Sequence, residues 1–580
     1  MTDHEDELLI DAARGFSKDG KWFKDSHNRY LLFRGVNFGS RSKLPPYLPI
    51  ARLETTRVNL EELKQEIESV STDLDRLKEW GFNIVRLLVS WKALEPYPNK
   101  NLEDIEEEGK QYLVLIREIV DSLYRRGLYV ILDFHQDIAH EIYGGDGFPD
   151  WALAVDGKNK LPKPSNLRDK KWQMAYMINK SVRHTLKSFW QNDLTNEVAG
   201  VKNFPVRTHL EKTIGQTVKF FKTLNNNEGH PAILGVEPFN EPHPVGIDPE
   251  KFEQEFLYNY YLSIESEVRS YDDRLFVFME PRVDWTVSEA SNSKSLTGKS
   301  IFSAKRTFNL GFIRNVMVDG KIEHKKEIRT NLPSERGLLK NISPRGVLSF
   351  HYYDVMAIAG SYLKIPENLT RIKRLWPDIF AQLVEAAEER DFVPFLTEFG
   401  GLQDAEQIID YLDINFNQIE SFLLNSTLWN YDLYNTEEGK DNWNLENYSV
   451  LGPSRTPRNI DVVVRPYPMR SSAEPIVLFF DHKSKYSALI LKGEPLESYP
   501  TIIYVPFHIH YSPEFAVWAT SKRVRWDKEN QLLYWYPDKD QRLNQIILGK
   551  PGELIEENLP NKSKSLLNNT VLVGTFTGSG

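Results

Sequence analysis

The 580-residue chain contains no cysteine, which removes disulfides, thiol nucleophiles and thiolate metal sites from consideration and suits a reducing compartment. It also lacks any apolar run approaching the roughly 20 residues that a membrane-spanning helix requires. Its first residues, MTDHEDELLIDAARGF, have no basic start followed by an apolar core, so no secretory leader is expected and a cytoplasmic location is. Nor is there an excess of positive charge. Lys and Arg total 72 against 82 Asp and Glu, a net charge of -10, whereas a nucleic-acid partner demands a dominant basic face. Nucleic acid is therefore not expected, and no internal repeat of fixed period is found.

What is present is a globular composition, 41% hydrophobic and 27% charged, in a chain long enough for a barrel and a smaller partner domain. Eight short β-branched runs alternate with helical patterns: Tyr30 to Asn37, Asn83 to Val89, Leu128 to Phe134, Ile233 to Phe239, Leu275 to Glu280, Val347 to His351, Val393 to Glu398 and Ser426 to Asn430. One intervening helix, Gln111 to Arg126, sets Leu113, Ile116, Val120 and Leu123 on one face and is followed by Gly127, a residue suited to a C-terminal cap. The expected fold is α/β, a (β/α)8 TIM barrel over residues 15–455, with an open doubly wound sheet as its competitor. Beyond residue 455 the pattern becomes short alternating strands, read as a C-terminal β-sandwich over 456–560, and the polar stretch 561–580 is expected to be a flexible tail.

In such a barrel, functional side chains come from the C-terminal ends of the strands. Here the runs end near Arg86 (second), in Asp133, His135, Gln136 and Asp137 (third), Asn240 and Glu241 (fourth), His351 and Tyr353 (sixth), Glu398 (seventh) and Trp429 (eighth). A single glutamate at a strand end is ordinarily a solvated or ion-paired group. Two of them on the fourth and seventh strands would instead face each other across the mouth, the disposition that glycoside hydrolysis needs. Repulsion between such a pair raises the pKa of one member and leaves it able to protonate a leaving oxygen. Asn240 suits a sugar 2-hydroxyl, Arg86 and Tyr353 suit an ionised Glu398, His135 and His351 offer donors, and Trp429 offers an apolar floor. Gly144, Gly145 and Gly147 read as a flexible active-site loop rather than a phosphate cradle, because no strand-glycine-helix context surrounds them.

Taken in order, RGVNF, GFNIVRL, LDFHQD, EPFNEP, SFHYYD and PFLTEFGG resemble glycoside hydrolase family 5. RGVNFGSRSK at Lys43, HQD at His135 to Asp137, FMEP ending at Glu280 and Pro281, and VRPYPMRSSAEP around Arg465 are similar to that family's endoglycoceramidase and glucosylceramidase branch, which includes sterylglucosidases. The resemblance implies Glu241 as acid/base and Glu398 as nucleophile. It places Asn240, Arg86, His135, His351, Tyr353 and Trp429 at the glycone and adds Lys43, Asp137 and Glu280 as further sugar-binding positions. It implies no metal and no cofactor, and a glycolipid as the substrate.

Two long connections, Asp156 to Pro205 and Thr286 to Arg345, interrupt the barrel pattern. The first interleaves Lys158, Lys160, Lys163, Lys170, Lys171, Lys180, Arg183 and Lys187 with Trp172, Met174, Tyr176, Met177, Phe189 and Trp190. It reads either as a lipid-gripping flap that touches a membrane surface or as an ordinary helical flap over the barrel rim. Phe148 and Trp151 are candidates for an apolar aglycone wall, and Trp518, Trp526, Tyr534 and Trp535 are expected to form sandwich core. The leading expectation is a retaining β-glycosidase releasing a sugar, glucose first, from ceramide or a sterol. The alternatives are release of an intact oligosaccharide by an endoglycoceramidase, a β-glucanase or mannanase, and a non-enzymatic glycolipid-binding protein. Carboxyl groups ~5 to 5.5 Å apart would indicate retention, and ~6.5 to 9.5 Å inversion.

Overall fold

A computed structural model describes residues 12–99, 102–154, 175–192, 205–247, 251–283, 343–354, 369–552 and 554–578, with short strand pairs lying between 197 and 202 and between 287 and 324. Eight parallel strands close into a barrel: β1 (Arg34–Phe38), β2 (Ile84–Ser90), β3 (Tyr129–His135), β4 (Ile233–Glu237), β5 (Phe276–Met279), β6 (Gly346–Tyr352), β7 (Val393–Phe399) and β8 (Asn425–Tyr431), with β8 pairing back to β1. The eight runs expected from the sequence are these strands, and closure excludes the open doubly wound sheet. Every strand residue is buried, as both faces of a parallel sheet must be.

The period of two along a strand sorts the barrel interior into layers. At the base, Phe33, Ile84, Ile131, Leu234, Phe276, Val347, Val393 and Phe395 pack together, and Phe16 and Phe23 from the N-terminal segment plug them from below. Two residues further along, the same inward positions become polar: Arg86 after Ile84, Asp133 after Ile131, Ser349 after Val347 and Thr397 after Phe395. The interior is thus apolar below and charged at the mouth. Between β6 and β7 the register slips, Phe350 pairing with Leu396 but His351 with Glu398. This bulge leaves Thr397 and Glu398 opposite a single step of β6, so both consecutive side chains reach the interior, which strict alternation would forbid.

The surrounding helices follow their apolar stripes. Helix Glu107–Tyr124 buries Leu113, Ile116, Val120 and Leu123. It ends where Gly127, at φ +80°, lets its own amide reach Tyr124 O and the Leu128 amide reach Leu123 O.

The second domain is two antiparallel sheets. One contains Tyr467–Ser471, Thr501–Tyr504, Leu532–Trp535 and Val524–Asp527, joined at Tyr467–Ser471 to three strands from residues 17–31. The other runs Glu474–Phe480, Ser487–Lys492, Leu543–Gly549, Glu514–Ala519 and Val571–Thr577. Leu489, Ile503, Phe515, Val517, Leu533, Trp535 and Ile546 fill the space between. Trp518 and Tyr534 are buried and Trp526 packs against this core.

The expected loose tail at 561–580 is corrected by the last strand. Val571–Thr577 alternates and pairs antiparallel along Glu514–Ala519, a pattern hidden in the sequence by the polar stretch before it. We propose that the two units divide at 455/456 for the bulk of each, with strands from residues 17–31 and 571–577 also entering the sandwich. The two domains are stitched together. Tyr467 and Tyr504 donate to the Gly81 and Glu79 carbonyls at 2.6 Å each, and Arg465 bridges Asp413 and Glu420.

Candidate active site

Arg86, 0% exposed, is the centre of the mouth. Its guanidinium contacts Glu237 at 2.5 Å, Asp133 and Glu398 at 3.1 Å each and Glu280 at 3.7 Å, and it donates to Asn37 Oδ1 and Asn240 Oδ1 at 2.8 Å. Burial opposes its charge, but the four carboxylates outweigh burial and hold the guanidinium well above its ordinary pKa. One cation cannot neutralise four acids in a dry interior. Glu280 lessens the excess: burial first, then the charge of Glu237, pushes its carboxyl well above the usual range and favours its protonated form.

Glu398, re-aimed by the bulge in β7, accepts from Arg86 at 3.1 Å on Oε2 and from the Tyr353 hydroxyl at 2.7 Å on Oε1. Glu241 lies four residues past the end of β4, at φ +48°, with its amide donating to Glu280 Oε2 at 3.1 Å and its Oε1 3.0 Å from His351 Nδ1. His351 Nε2 is 3.2 Å from Glu280 Oε1. Burial lowers the His351 pKa to about 4, so its ring is neutral at neutral pH. One carboxylate oxygen each of Glu241 and Glu398, and one nitrogen of His351, all lie within 4.8 Å of one another. Asn240 is fixed on both sides, accepting from Arg86 and donating to Gln136 O at 3.1 Å, while Gln136 donates back to Asn240 O at 2.8 Å.

A second group sits beside the first. His135 stacks on Trp429 with ring planes 8° apart, and its nitrogens lie 2.7 Å from Asp133 and 3.2 Å from Asp137. Burial disfavours its charge, yet Asp133 prevails and raises the pKa to about 10, so the ring is an imidazolium. Lys43 Nζ lies 2.6 Å from Asp137, 4.5 Å from the Trp429 ring centre and 3.7 Å from that of Trp443. Burial alone would raise the Asp137 pKa, but Lys43 and His135 pull it down, while burial and the Asp137 charge push Asp146 up to about 8. His135, Asp137 and Asp146 each place one donor atom within 4.8 Å of the others, and Lys43 supplies the positive charge in that cluster.

The structure thus gathers all of the sequence-derived positions, Lys43, Arg86, His135, Asp137, Asn240, Glu241, Glu280, His351, Tyr353, Glu398 and Trp429, at one end of the barrel. The sequence reading assigns no role to Asp133 and does not reach Glu237, Asn37, Ser349 or Thr397. Glu237 accepts from Ser349 as well as Arg86. Its signal was a lone charge inside the apolar strand ILGVE.

Two expectations are corrected. The Gly144–Gly147 turn is no loose loop: it is buried and hydrogen-bonded through Gly145, Asp146 and Phe148 amides, and a Cβ on Gly145 would lie 1.7 Å from Asp137 O. Phe148 packs against Trp91, Phe189 and Phe239 in the core and so forms no aglycone wall, whereas Trp151 is partly exposed, with its indole N–H on Glu95 O. In the first insertion, Tyr176, Phe189 and Trp190 are buried while Lys180, Arg183 and Lys187 are exposed, so helix Lys180–Gln191 is amphipathic, as both readings of that segment require. Lys158, Lys160, Lys163, Lys170, Lys171, Trp172 and Met174, and most of the second insertion, lie outside the described residues.

The cellulase domain of glycosyl hydrolase family 5 matches residues 51–435. The chain belongs to glycosyl hydrolase family 5. This family-5 chain is 23% identical to a glucosylceramidase of Rhizopus delemar, the alignment covering 96% of the chain and 98% of that protein. Its fold is shared with sterylglucosidase 1 of Cryptococcus neoformans (TM-score 0.69, 16% identity, 94% and 98% of the two chains covered). It is shared too with endoglycoceramidase II of Rhodococcus sp. in its lactosyl-enzyme intermediate (TM-score 0.61, 20% identity, 91% and 99% covered). The family-5 chain is a glycoside hydrolase.

Proposed function

We propose that the chain is a retaining β-glycosidase that cleaves glucose from a lipid aglycone such as ceramide or a sterol, with Glu241 as acid/base and Glu398 as nucleophile. The observation that carries this reading is the approach of a Glu241 oxygen and a Glu398 oxygen to within 4.8 Å, in a mouth where Arg86 and Tyr353 each donate a hydrogen bond to Glu398. That spacing supports retention, since inversion needs room for a water between the two groups.

In the first half-reaction the Glu241 carboxyl gives its proton to the glycosidic oxygen as a Glu398 oxygen bonds to the anomeric carbon and the aglycone leaves as a neutral alcohol. In the second, Glu241, now a carboxylate, takes a proton from water. The water oxygen bonds to the anomeric carbon and the bond to Glu398 breaks. A neutral His351 with its proton on Nδ1 donates to the Glu241 carboxylate between the two halves. Asn240, His135, Asp137, Lys43 and Trp429 hold the glycone, and Glu280 orients Glu241 and His351.

The substrate class is supported by the similarity to the glucosylceramidase of Rhizopus delemar and by the VRPYP segment of the sandwich. Among the described residues no helix is long and apolar enough to cross a membrane. We propose a cytoplasmic enzyme that meets its lipid from one side of the bilayer, the exposed Lys180, Arg183 and Lys187 offering a basic approach to anionic headgroups. The test is product analysis with glucosylceramide, a steryl glucoside, a ganglioside and cellopentaose, using the wild type and the Glu241→Gln and Glu398→Gln variants. Glucose from the lipids, abolished in both variants, is the expected result. Cleavage of cellopentaose alone, or full activity in Glu398→Gln, would overturn the reading.

A further inference from the structure

The connection after β8, residues 432–448, is long, and it is built as a wall. The buried Asp441 carboxylate gathers the amides of Trp443, Asn444 and Glu446 at 3.1 to 3.2 Å. Asn442, at φ +59°, donates to Tyr434 O at 2.7 Å and accepts from the Thr436 hydroxyl at 3.1 Å, and Thr436 and Lys440 exchange backbone hydrogen bonds. Such a loop carries its own conformation.

Its tip does not stay over β8. Asn444 donates to Gly144 O at 3.3 Å and the Trp443 indole to Gly145 O at 3.5 Å, both on the turn that follows β3. Since β8, β1, β2 and β3 are consecutive in the barrel, a segment joining β8 to the turn after β3 crosses above β1 and β2. Lys43, arriving from the loop after β1, lies beneath this crossing with its ammonium between the Trp443 and Trp429 rings. At the other end Tyr448 packs edge-on against Tyr353, the partner of Glu398, with ring centres 5.9 Å apart. The Gly144–Gly145 turn on which the tip rests is itself buried and hydrogen-bonded, so neither half of the clasp is loose.

Resting on the function proposed above, and deepening it, we propose that this clasp closes the glycone side of the site to a single β-glucosyl unit, making the enzyme exo-acting. The floor and back of the sugar position are Trp429 and His135, stacked on each other. A second pyranose attached to the non-reducing end of the glucose would have to pass between Lys43 and Trp443, where the ammonium already contacts both the indole face and Asp137. Moving Lys43 aside would leave the Asp137 carboxylate buried without its cation, which is unfavourable in a dry pocket. Glu241, which protonates the oxygen of the departing aglycone in the proposed reaction, follows β4, outside the β8-to-β3 span that the clasp crosses.

The experiment compares kcat/KM for 4-nitrophenyl β-glucoside and 4-nitrophenyl β-lactoside. The wild type is expected to prefer the glucoside by about a hundredfold or more, as a site that excludes a second ring sterically must. Trp443→Ala and Asn444→Ala should each raise lactoside cleavage about tenfold relative to glucoside, with lactose rather than free glucose as product, while Trp443→Phe retains the preference. Release of intact lactose by the wild type at a rate comparable with that of glucose would overturn the inference and leave the proposed function standing. Hydrolysis of neither glycoside would remove the proposed function and, with it, the inference. The wild-type ratio decides even where a variant fails to fold.

Discussion

Glu241 and Glu398 share a histidine neighbour yet differ in what supports them, and chemistry can separate their roles. Removing either carboxylate by Glu→Ala should lower kcat by about a thousandfold or more, since general acid catalysis alone is worth about 10² to 10⁴. Added azide should then restore turnover to both variants with opposite stereochemistry. The Glu398→Ala enzyme is expected to yield the α-glycosyl azide, because azide attacks the face that the nucleophile occupied. The Glu241→Ala enzyme should yield the β-azide, because azide replaces water on the glycosyl-enzyme. Proton NMR of the product checks this, and exchanged outcomes would exchange the assignments.

The second cluster carries its own pH signature. His135 is raised from 6.5 to about 10, so its charged form stabilises the native state. That contribution is complete below pH 6.5 and is lost as pH rises through 10. Asp146, raised from 3.8 to about 8, holds its proton only in the native state, and its contribution is lost in the same direction, between pH 3.8 and 8. The urea midpoint is therefore expected to fall from pH 6 to pH 10. Asp146→Asn, which mimics the protonated acid, should flatten the decline below pH 8, and an unchanged slope there would count against the assignment.

At the scale of strands and turns, the succession of short β-branched runs and helical patterns is plain in the sequence, so the eight strands were readable. Local exceptions to the inward–outward alternation of a strand were not. The bulge that turns both Thr397 and Glu398 inward depends on the register against β6, a long-range pairing that no window of β7 contains. Glu237 and Asp133 function as counter-charges to Arg86, and a buried ionic network is recognisable only once its members meet. Arg86→Met is expected to reduce stability by about 3 to 5 kcal/mol, because it strands acids that have lost their cation. Chemical denaturation would show it.

The turn after β3 was misread because glycines signal freedom in a sequence but close approach in a packed structure. Gly145→Ala, with its new carbon 1.7 Å from Asp137 O, must displace the chain that holds Asp137 against Lys43. Its expected effect is a fall in kcat/KM of about tenfold or more, since displacements near 1 Å cost about 10² in rate. Unchanged kinetics would mean that the turn is free to shift.

Taken whole, the molecule is two domains that share surfaces too polar to part cleanly. The Arg465 bridges to Asp413 and Glu420, and the tyrosine hydrogen bonds to Gly81 and Glu79, leave buried charged and polar groups unmatched if the sandwich is removed. Calorimetry should show one transition rather than two. Deleting residues 571–578 should lower its midpoint by several degrees and promote aggregation, because it uncovers the edge of Glu514–Ala519. Two resolved transitions would show that the domains unfold independently.

The three strands from residues 17–31 belong to a sheet whose next member is Tyr467–Ser471, and the far edge of the opposing sheet is Val571–Thr577. At about 5 to 20 residues per second, a ribosome needs tens of seconds to deliver the partner of Tyr30–Leu31. For most of that interval β1 also lacks β8, so neither the barrel nor the sheet that receives Tyr30–Leu31 can close. Closure of the barrel and of the sheet beside it therefore comes late in synthesis, and cellular yield should depend on chaperones that shelter the unclosed chain.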